Sequence, residues 1–392
     1  MDKTINAASG GRLVYVVNVD WFFLSHRLEL ARAARREGYE VHVLTADTGR
    51  LGEIQAEGFD VVAVPFARSF THPLRELCCL WLVWRTLRRL KPRVVHCVAL
   101  KAVLIGGLAC FVAAPPRTVF TVTGVGSTFL GASWKSRAWR GLVRWALRTV
   151  FSPAGARVIL QNGDDLREFI GAGVVPREKA VLIRGSGVDL ERFQPAPEPP
   201  ETDGFVVVLP ARLLKDKGVR EFAEAGRILR EAGRFRVRMI LAGGEDLHNT
   251  SALDARIVQE WVRKGWVEWP GFQNDMATVY RSAHLVAFPS YREGLPRALL
   301  EAGACGRATV ATDVPGCREV IREGVNGLLV PARDASALAR AIGRLLGDPD
   351  LRRDMGRKAR QIVEQEFGLP RVIERTLETY HPGQVPLEAT AG

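Results

Sequence analysis

Two acidic residues in the second half of the chain have the types and the spacing needed to bind a phosphorylated sugar. Glu293 and Glu301 flank seven residues, the first of which is Gly294. The segment between them is compatible with the start of a helix, where free backbone N–H groups and the positive end of the helix dipole attract an anion. If phosphates bind there, the two carboxylates can accept hydrogen bonds from hydroxyl groups on either side of the phosphates. A ligand with phosphates between two hydroxyl-bearing parts is a nucleotide-sugar.

A strand and a helix must position these glutamates. The uncharged run 285–290 ends in Pro-Ser and predicts a strand, and Pro296 stands in the first turn of a helix predicted over 296–304. The loop with Glu293 would lie at the carboxyl end of a strand, where open parallel sheets bind ligands. Taken alone, the simpler explanation is an ordinary helix carboxylate at Glu301 and a loop charge at Glu293.

A second strand-to-helix loop carries two basic residues. Arg212 and Lys217 follow the uncharged run 205–210, which predicts a strand of a sheet covered on both faces. Arginine offers a planar fork to phosphate oxygens and lysine a movable point charge, so together they can stabilise a diphosphate leaving group. Taken alone, both residues are more typical of a solvated surface loop.

The segment 293–321 has a sequence, EGLPRALLEAGACGRATVATDVPGCREVI, that closely resembles glycosyltransferase family 4. The two glutamates match the E-x7-E motif of its retaining enzymes, and 211–218 matches a family block except that Ala211 replaces a glycine. The resemblance covers most of the chain. It implies the α/β fold called GT-B, with two Rossmann-like doubly wound domains facing across a cleft. It points to enzymes that build lipid-linked O-antigen, capsular or other surface polysaccharides.

The resemblance also implies roles for individual residues. Glu293, Arg212 and Lys217 would form the catalytic group, with Glu293 on the transferred sugar and the two cations on the diphosphate. Glu301 would accept hydrogen bonds from the ribose hydroxyls. The other predicted donor-binding positions lie in the glutamate loop and in turns that are equally explained as plain turns: Gly294, Leu295, Pro296, Gly243, Gly271 and Phe272.

The start of the chain supplies the predicted acceptor site. Residues 18–25 are predicted to form the loop after the first strand. Segment 18–27, NVDWFFLSHR, lacks G-x-G-x-x-G, which disfavours a nicotinamide-binding domain, and resembles family members that assemble lipid-linked polysaccharides. Its three aromatic residues are equally well explained as a cap on the core. Many family members carry a histidine where this chain has Thr123, which cannot act as a base near neutral pH. His26 and His96 are the nearby alternatives, and in front-face transfer the leaving phosphate itself takes the proton. The predicted acceptor-binding positions are Asp20, His26, Arg27, Thr123 and Gly124.

Length and composition set the organisation. With 392 residues and 47% apolar residues, the chain has room for two ordinary α/β domains. A proline-rich, acidic stretch separates the predicted acceptor domain (1–195) from the nucleotide-sugar domain (203–370), and 371–392 would form a crossover helix and a disordered tail. Six cysteines without C-x-x-C spacing indicate a reducing compartment. The apolar run 102–114 is too short to span a bilayer and predicts a buried helix.

The basic charge is concentrated in the first half. Segment 68–157 holds fifteen Lys and Arg and one acidic residue, Glu76, whereas the whole chain carries +12. Segments 74–90 and 137–150 have amphipathic patterns in which tryptophans border basic residues. These segments predict attachment to an anionic membrane surface, although solvated surface helices explain the pattern as well. The expected location is therefore cytoplasmic, at the inner face of the plasma membrane.

The function predicted from these features is retaining transfer of an N-acetylhexosamine from a UDP-sugar to a polyprenyl-diphosphate-linked saccharide. We expect no metal cofactor, because Asp348 and Asp350 form a D-x-D whose first residue is placed as a helix N-cap. A nucleotide-sugar 2-epimerase would share the architecture but would leave the basic segment without a purpose. A basic nucleic-acid-binding or lipid-binding protein would explain the charge but not the glutamate pair, and no nucleic-acid-binding motif is apparent.

Overall fold

The chain forms two compact α/β units. The computed structural model describes residues 10–67, 72–123, 134–246, 249 and 251–381, with the backbone alone for 134–140. The first unit contains the described residues up to Ser186 together with 372–381, and the second unit is Gly187–Arg371. The domain bounds predicted from the sequence, 1–195, 203–370 and 371–392, remain a prediction, and the tail from 382 onward lies outside the described residues.

The first unit is built on a seven-stranded parallel sheet with the strand order β3-β2-β1-β4-β5-β6-β7. Its strands are rich in β-branched residues, and β4 and β5 in the middle of the sheet are buried along their whole length, as expected for a sheet covered on both faces. The strands are β1 (Gly11–Val17), β2 (Tyr39–Thr45), β3 (Asp60–Ala63), β4 (Val94–Val98), β5 (Arg117–Val122), β6 (Ala156–Leu160) and β7 (Ala180–Leu182).

Helices connect these strands on both faces. The loop predicted over 18–25 is wrong, because a helix already begins at Asp20, whose carboxylate accepts the Trp21 amide proton at 2.7 Å. The helices are α1 (Asp20–His26), α2 (Leu28–Arg36), α3 (Leu51–Ala56), α4 (Pro73–Leu90), α5 (Leu100–Ala113), α6 (Trp134–Phe151) and α7 (Gly163–Gly171).

The second unit repeats the architecture with a six-stranded parallel sheet in the order β10-β9-β8-β11-β12-β13. Its strands are β8 (Phe205–Leu209), β9 (Val237–Ala242), β10 (Glu268–Gly271), β11 (Leu285–Phe288), β12 (Ala308–Thr312) and β13 (Gly327–Val330). Its helices are α8 (Val219–Ala232), α9 (Ala255–Arg263), α10 (Met276–Arg281), α11 (Arg297–Ala304), α12 (Pro315–Arg318), α13 (Ala335–Leu346) and α14 (Pro349–Glu366), and α15 (Leu369–Glu378) continues from this unit into the first. The α/β class with two doubly wound halves is confirmed.

The proline-rich stretch predicted as a linker is bound to the second unit. The fully buried Arg352 guanidinium donates to the carboxylates of Glu198 at 2.8 Å and Glu201 at 2.7 Å. Buried Arg307 donates to the Pro197 carbonyl at 3.1 Å. These arginines fix the stretch, because a buried guanidinium requires acceptors on every side.

Helix α5 differs from the buried helix predicted there. Its first two turns are buried, whereas Phe111 and Val112 in its last turn are more than half exposed. Within the described ranges, every helix lacks the combination of length and apolar content that crossing a bilayer requires.

Candidate active site

The loops after β8 and β11 bring Lys217 and Glu293 together at the carboxyl edge of the six-stranded sheet. The two strands are parallel neighbours, with Val207 beside Leu285, so their following loops leave the sheet side by side. Lys217 Nζ donates to Glu293 Oε1 at 2.5 Å, and both side chains are largely buried. Ser290 Oγ donates to the same oxygen at 2.6 Å. Two of the three predicted catalytic residues therefore form an ion pair.

A glycine makes this approach of the two loops possible. Gly218 has φ +69°, a conformation that other residues rarely adopt, and a Cβ there would lie 2.1 Å from the carbonyl oxygen of Pro289. The Tyr291 amide donates to the Asp216 carbonyl at 2.8 Å, which links the loops again beside the ion pair. The chain around Lys217 is thus held against the chain around Glu293.

The segment after β12 supports Glu293 from a further side. A Cβ at Gly316, in α12, would lie 2.6 Å from the carbonyl oxygens of both Glu293 and Gly294. Thr312 Oγ1 donates to the Ser290 carbonyl. Sequence reasoning missed Gly316, Thr312 and Ser290, and the only available signal was that all three lie in or beside the segment that resembles the family.

Arg212 is held by a residue that the sequence did not single out. Its guanidinium pairs with the buried Asp246 carboxylate at 2.5 Å, just beyond β9. A Cβ at Gly243 would lie 1.8 Å from the Ala211 carbonyl oxygen, so the loops after β8 and β9 are in close contact. The observed partner of Arg212 is therefore Asp246 rather than Glu293. Its side chain remains 43% exposed.

Glu301 lies in α11 within a separate set of contacts. Its carboxylate pairs with Arg297 Nε at 2.8 Å and accepts from the Tyr280 hydroxyl at 3.2 Å. Burial raises the pKa of Glu301, and the nearby Arg297 charge and the Tyr280 hydrogen bond oppose that shift only in part. Glu301 and Glu293 therefore belong to the same strand-to-helix connection but contact different residues.

Two family models match the chain. The model described as "Glycosyltransferase Family 4" matches residues 25–192, and "Glycosyl transferases group 1" matches residues 204–348. This chain is a glycosyltransferase built from these two family domains. The family prediction and the assignment as a glycosyltransferase are confirmed.

Known relatives of this glycosyltransferase extend along nearly the whole chain. It is 27% identical over 377 residues to N,N'-diacetylbacillosaminyl-diphospho-undecaprenol alpha-1,3-N-acetylgalactosaminyltransferase of Campylobacter jejuni, covering 91% of this chain and 97% of that one. It is 23% identical over 358 residues to UDP-Gal:alpha-D-GlcNAc-diphosphoundecaprenol alpha-1,3-galactosyltransferase of Escherichia coli, covering 88% and 89%. The structure of Anabaena Alr3699/HepE in complex with UDP-glucose aligns with a TM-score of 0.73 at 20% identity, covering 94% of this chain and 98% of that one. This last likeness supports the GT-B fold.

The remaining predicted donor positions of the glycosyltransferase lie at the same edge of the second sheet, and their contact with a donor stays a prediction. Pro296 is the N-cap of α11, which begins one residue later than predicted, and Gly294 packs on Gly316. Gly271 ends β10, and the next residue, Phe272, is 72% exposed. A Cβ on Gly244 would lie 3.3 Å from the Phe272 Cβ, so the exposed ring lies beside the loop after β9.

One predicted acceptor residue, Asp20, already forms hydrogen bonds within the chain. The Asp20 carboxylate is fully buried and accepts from the amides of Thr48 at 2.7 Å and Arg50 at 3.1 Å, as well as from Trp21. Burial alone would raise its pKa, but these bonds and the Thr48 hydroxyl hold the pKa of Asp20 below its usual value. Asp20 therefore joins the loops after β1 and β2, and its carboxylate is occupied by the chain.

The other acceptor positions are distributed over the first unit. His26 stacks on Phe22 with ring centroids 4.2 Å apart, and the next residue, Arg27, is buried. Thr123 follows β5 and is half-buried, while Gly124 lies outside the described residues. Their contact with an acceptor stays a prediction.

His96 is removed from consideration as a base. It is fully buried, and its ring nitrogens bond to the Tyr380 hydroxyl and to Thr121 Oγ1, both at 2.7 Å. Burial, reinforced by the charge of Arg27, holds the pKa of His96 well below its ordinary value.

Two acidic groupings are relevant to metal binding. Asp348 is the N-cap of α14 and accepts from the Leu351 amide at 3.0 Å, as the sequence predicted. In the described part of the chain, one trio has potential ligand atoms within 4.8 Å of one another, and it is Glu40, His42 and Asp60 in the first unit. The two ring nitrogens of its histidine already lie 3.0 and 3.3 Å from oxygens of the two carboxylates, so contacts within the trio account for it.

Proposed function

We propose that this chain is a retaining glycosyltransferase that moves an N-acetylhexosamine from a UDP-sugar to a polyprenyl-diphosphate-linked saccharide. The observation that carries the proposal is the Lys217–Glu293 ion pair at the carboxyl edge of the second sheet. Gly218 and Gly316 hold it from two sides by contacts that any larger residue would disrupt. An ion pair placed where open sheets bind ligands is suited to exchange partners when a charged substrate enters.

The pair can serve both ends of a sugar diphosphate. Lys217 Nζ would turn from Glu293 to the diphosphate, with Arg212 as the second cation, and their charges stabilise the leaving group. The released Glu293 carboxylate would accept hydroxyl or amide protons of the transferred sugar. The bond between the anomeric carbon and the diphosphate oxygen breaks while the acceptor hydroxyl oxygen bonds to that carbon on the same face. The hydroxyl proton passes to the departing phosphate, so the step requires no side-chain base.

The same residues support a reaction without a metal cofactor. Lys217 and the half-exposed Arg212 supply two positive charges in the loops that would face the diphosphate. Because fixed cations can take the place of Mg²⁺ at such oxygens, we expect full activity in the presence of EDTA.

Nucleotide and sugar are inferred from the site and the relatives together. Glu301, with its two fixed partners, is placed to accept the ribose hydroxyls, and the exposed Phe272 ring offers a stacking surface for a base. The Escherichia coli relative is named for a UDP-sugar and the Campylobacter relative for N-acetylgalactosamine transfer. Both names describe acceptors linked through a diphosphate to undecaprenol.

A lipid-linked acceptor requires the enzyme to work at a membrane, and two helices of the first unit suit an anionic surface. On α4, Leu74, Leu77 and Trp81 are exposed on one face, and Arg85 stacks on Trp81 at 5.1 Å. On α6, Leu142 and Trp145 are exposed beside basic residues. Exposed apolar residues bordered by arginines bind anionic interfaces. We therefore infer peripheral attachment to the inner face of the plasma membrane.

A donor screen tests the proposal. Thermal unfolding is measured with UDP-, GDP- and ADP-sugars, because a ligand that binds only the folded state raises its stability. We expect a shift with UDP-sugars that is lost in Arg212→Ala and kept in the control Arg263→Ala, whose residue is exposed at the end of α9. Absence of a shift with every nucleotide would refute the donor site. The selected donor is then incubated with and without acceptor, since conversion without acceptor would indicate a 2-epimerase.

A further inference from the structure

Arg27 is a buried arginine, and most N–H donors of its guanidinium group have no acceptor among the described residues. It lies between α1 and α2 and is only 4% exposed. Its two hydrogen bonds both come from Nη1, to the His26 carbonyl at 3.1 Å and to Ser186 Oγ at 3.3 Å. The buried Nε has no hydrogen-bond partner. In the described ranges, the Nε–Nη2 edge, which binds carboxylates and phosphates in a bidentate manner, therefore has no acceptor.

The groups around Arg27 do not neutralise its charge. The titratable groups that act on it electrostatically are the hydroxyls of Tyr15 and Tyr380, which bond to each other at 2.9 Å. Burial raises the pKa of both tyrosines, so they are neutral near pH 7, and the adjacent His96 is neutral as well. Across the residues that the structure describes, no carboxylate lies within ion-pair distance of Arg27.

Two fully buried arginines of the second unit are compensated more completely. Arg352 has two carboxylate partners, and Arg307 donates to three carbonyl groups. Arg27 has neither a carboxylate partner nor a set of carbonyl acceptors around its guanidinium, and a buried cation with so little compensation is strongly destabilising.

We propose that Arg27, with the Ser186 hydroxyl, forms a binding site for a phosphate or diphosphate group in the first unit. Ser186 is only half-buried and follows β7, between Gly185 and Gly187, which both have positive φ. The serine lies where the chain leaves the carboxyl edge of the seven-stranded sheet, the edge at which such sheets bind ligands. The inference rests on the proposed function for its ligand: the diphosphate of the lipid-linked acceptor is the phosphate group that the first unit would meet.

Binding of inorganic pyrophosphate to the full-length protein tests the site. UDP is kept saturating so that the donor site is filled, and pyrophosphate is titrated by calorimetry and by thermal unfolding. The variant is Arg27→Met, which keeps the apolar stem. Its control is Arg36→Met, because Arg36 is exposed at the end of α2, the helix that follows Arg27. We expect Arg27→Met to weaken pyrophosphate binding by about tenfold or more, since charged hydrogen bonds are lost, and Arg36→Met to leave it unchanged.

Stability without ligand separates this site from a purely structural arginine. If Arg27 is an unpaired cation, the ligand-free Arg27→Met protein melts no lower than the wild type. Equal pyrophosphate binding by both proteins, or no binding by the wild type, would overturn the inference. Farnesyl diphosphate in detergent shows which phosphate compound the site binds. If it competes with pyrophosphate in the wild type and not in Arg27→Met, the ligand is the lipid acceptor. If only pyrophosphate binds, the site takes a free anion, which overturns the acceptor assignment. UDP-dependent stabilisation reports separately on the donor site, so failure here leaves the proposed function standing.

Discussion

Replacing Gly316 by alanine should lower the catalytic rate strongly while changing the stability of the fold much less. The added Cβ would lie 2.6 Å from the carbonyl oxygens of Glu293 and Gly294, whereas ordinary contact begins at 3.4 Å. The glutamate loop must therefore retreat by about 0.8 Å. Displacements near 1 Å at a reacting group reduce rates by about a hundredfold, so we expect a loss of that order in kcat. Because Gly316 is helical, the helix propensity of alanine offsets part of the strain, up to about 1 kcal/mol.

The assay is the initial rate of UDP release with donor and lipid-linked acceptor, together with the urea midpoint of unfolding. Gly343→Ala is the matched control, because the same substitution in α13 meets only a Leu229 methyl at 3.7 Å. It should raise stability by about 0.5–1 kcal/mol and leave the rate unchanged. A Gly316→Ala enzyme with the wild-type rate would show that the loop tolerates displacement, and would refute the positioning argument.

Three further substitutions have predictable effects on unfolding. Burial raises the pKa of Glu301, so the folded state loses stability as the pH rises through that pKa. The Glu301→Gln protein should therefore have a higher melting temperature than the wild type at pH 8 and the same melting temperature at low pH. It should also bind UDP more weakly. Arg352→Met removes the buried partner of the Glu198 carboxylate and leaves it only the more distant, exposed Arg353 at 3.5 Å, so it should lower the free energy of unfolding by about 3–5 kcal/mol in urea. Arg353→Met, which removes the exposed and longer contact, should change it by about 0.5 kcal/mol or less. Asp20→Asn should lose about 1–3 kcal/mol at pH 7, and less as the pH falls, because hydrogen bonds hold the pKa of the native carboxylate down; a constant difference across pH would contradict this.

The strands and the catalytic loops could be predicted from the sequence because their signals are local. Apolar β-branched runs such as 205–209 are buried on both faces, so their composition alone reveals them. Glu293 and Lys217 were found because each follows such a run. The sequence could not show that they form an ion pair, because that depends on β8 and β11 being neighbours in the sheet.

What sequence reasoning missed depends on contacts between distant segments. The need for glycine at position 316 comes from a loop more than twenty residues away, and Asp246 matters because β9 adjoins β8. The opposite error arose at Asp20, whose exposed-looking loop is a helix N-terminus with a buried carboxylate. The proline-rich stretch was expected to be a linker, but buried arginines far along the chain fix it to the second unit.

The most direct test of the central claim is the rate of sugar transfer from a UDP-sugar to a lipid-linked acceptor by Glu293→Gln. Its control is Glu260→Gln, since Glu260 is half exposed on α9 and pairs only with a neighbouring lysine. The account predicts that Glu293→Gln still binds UDP but loses transfer by about a hundredfold or more, and that the control transfers at the wild-type rate. Wild-type transfer by Glu293→Gln would contradict the assignment of the Lys217–Glu293 pair as the catalytic centre.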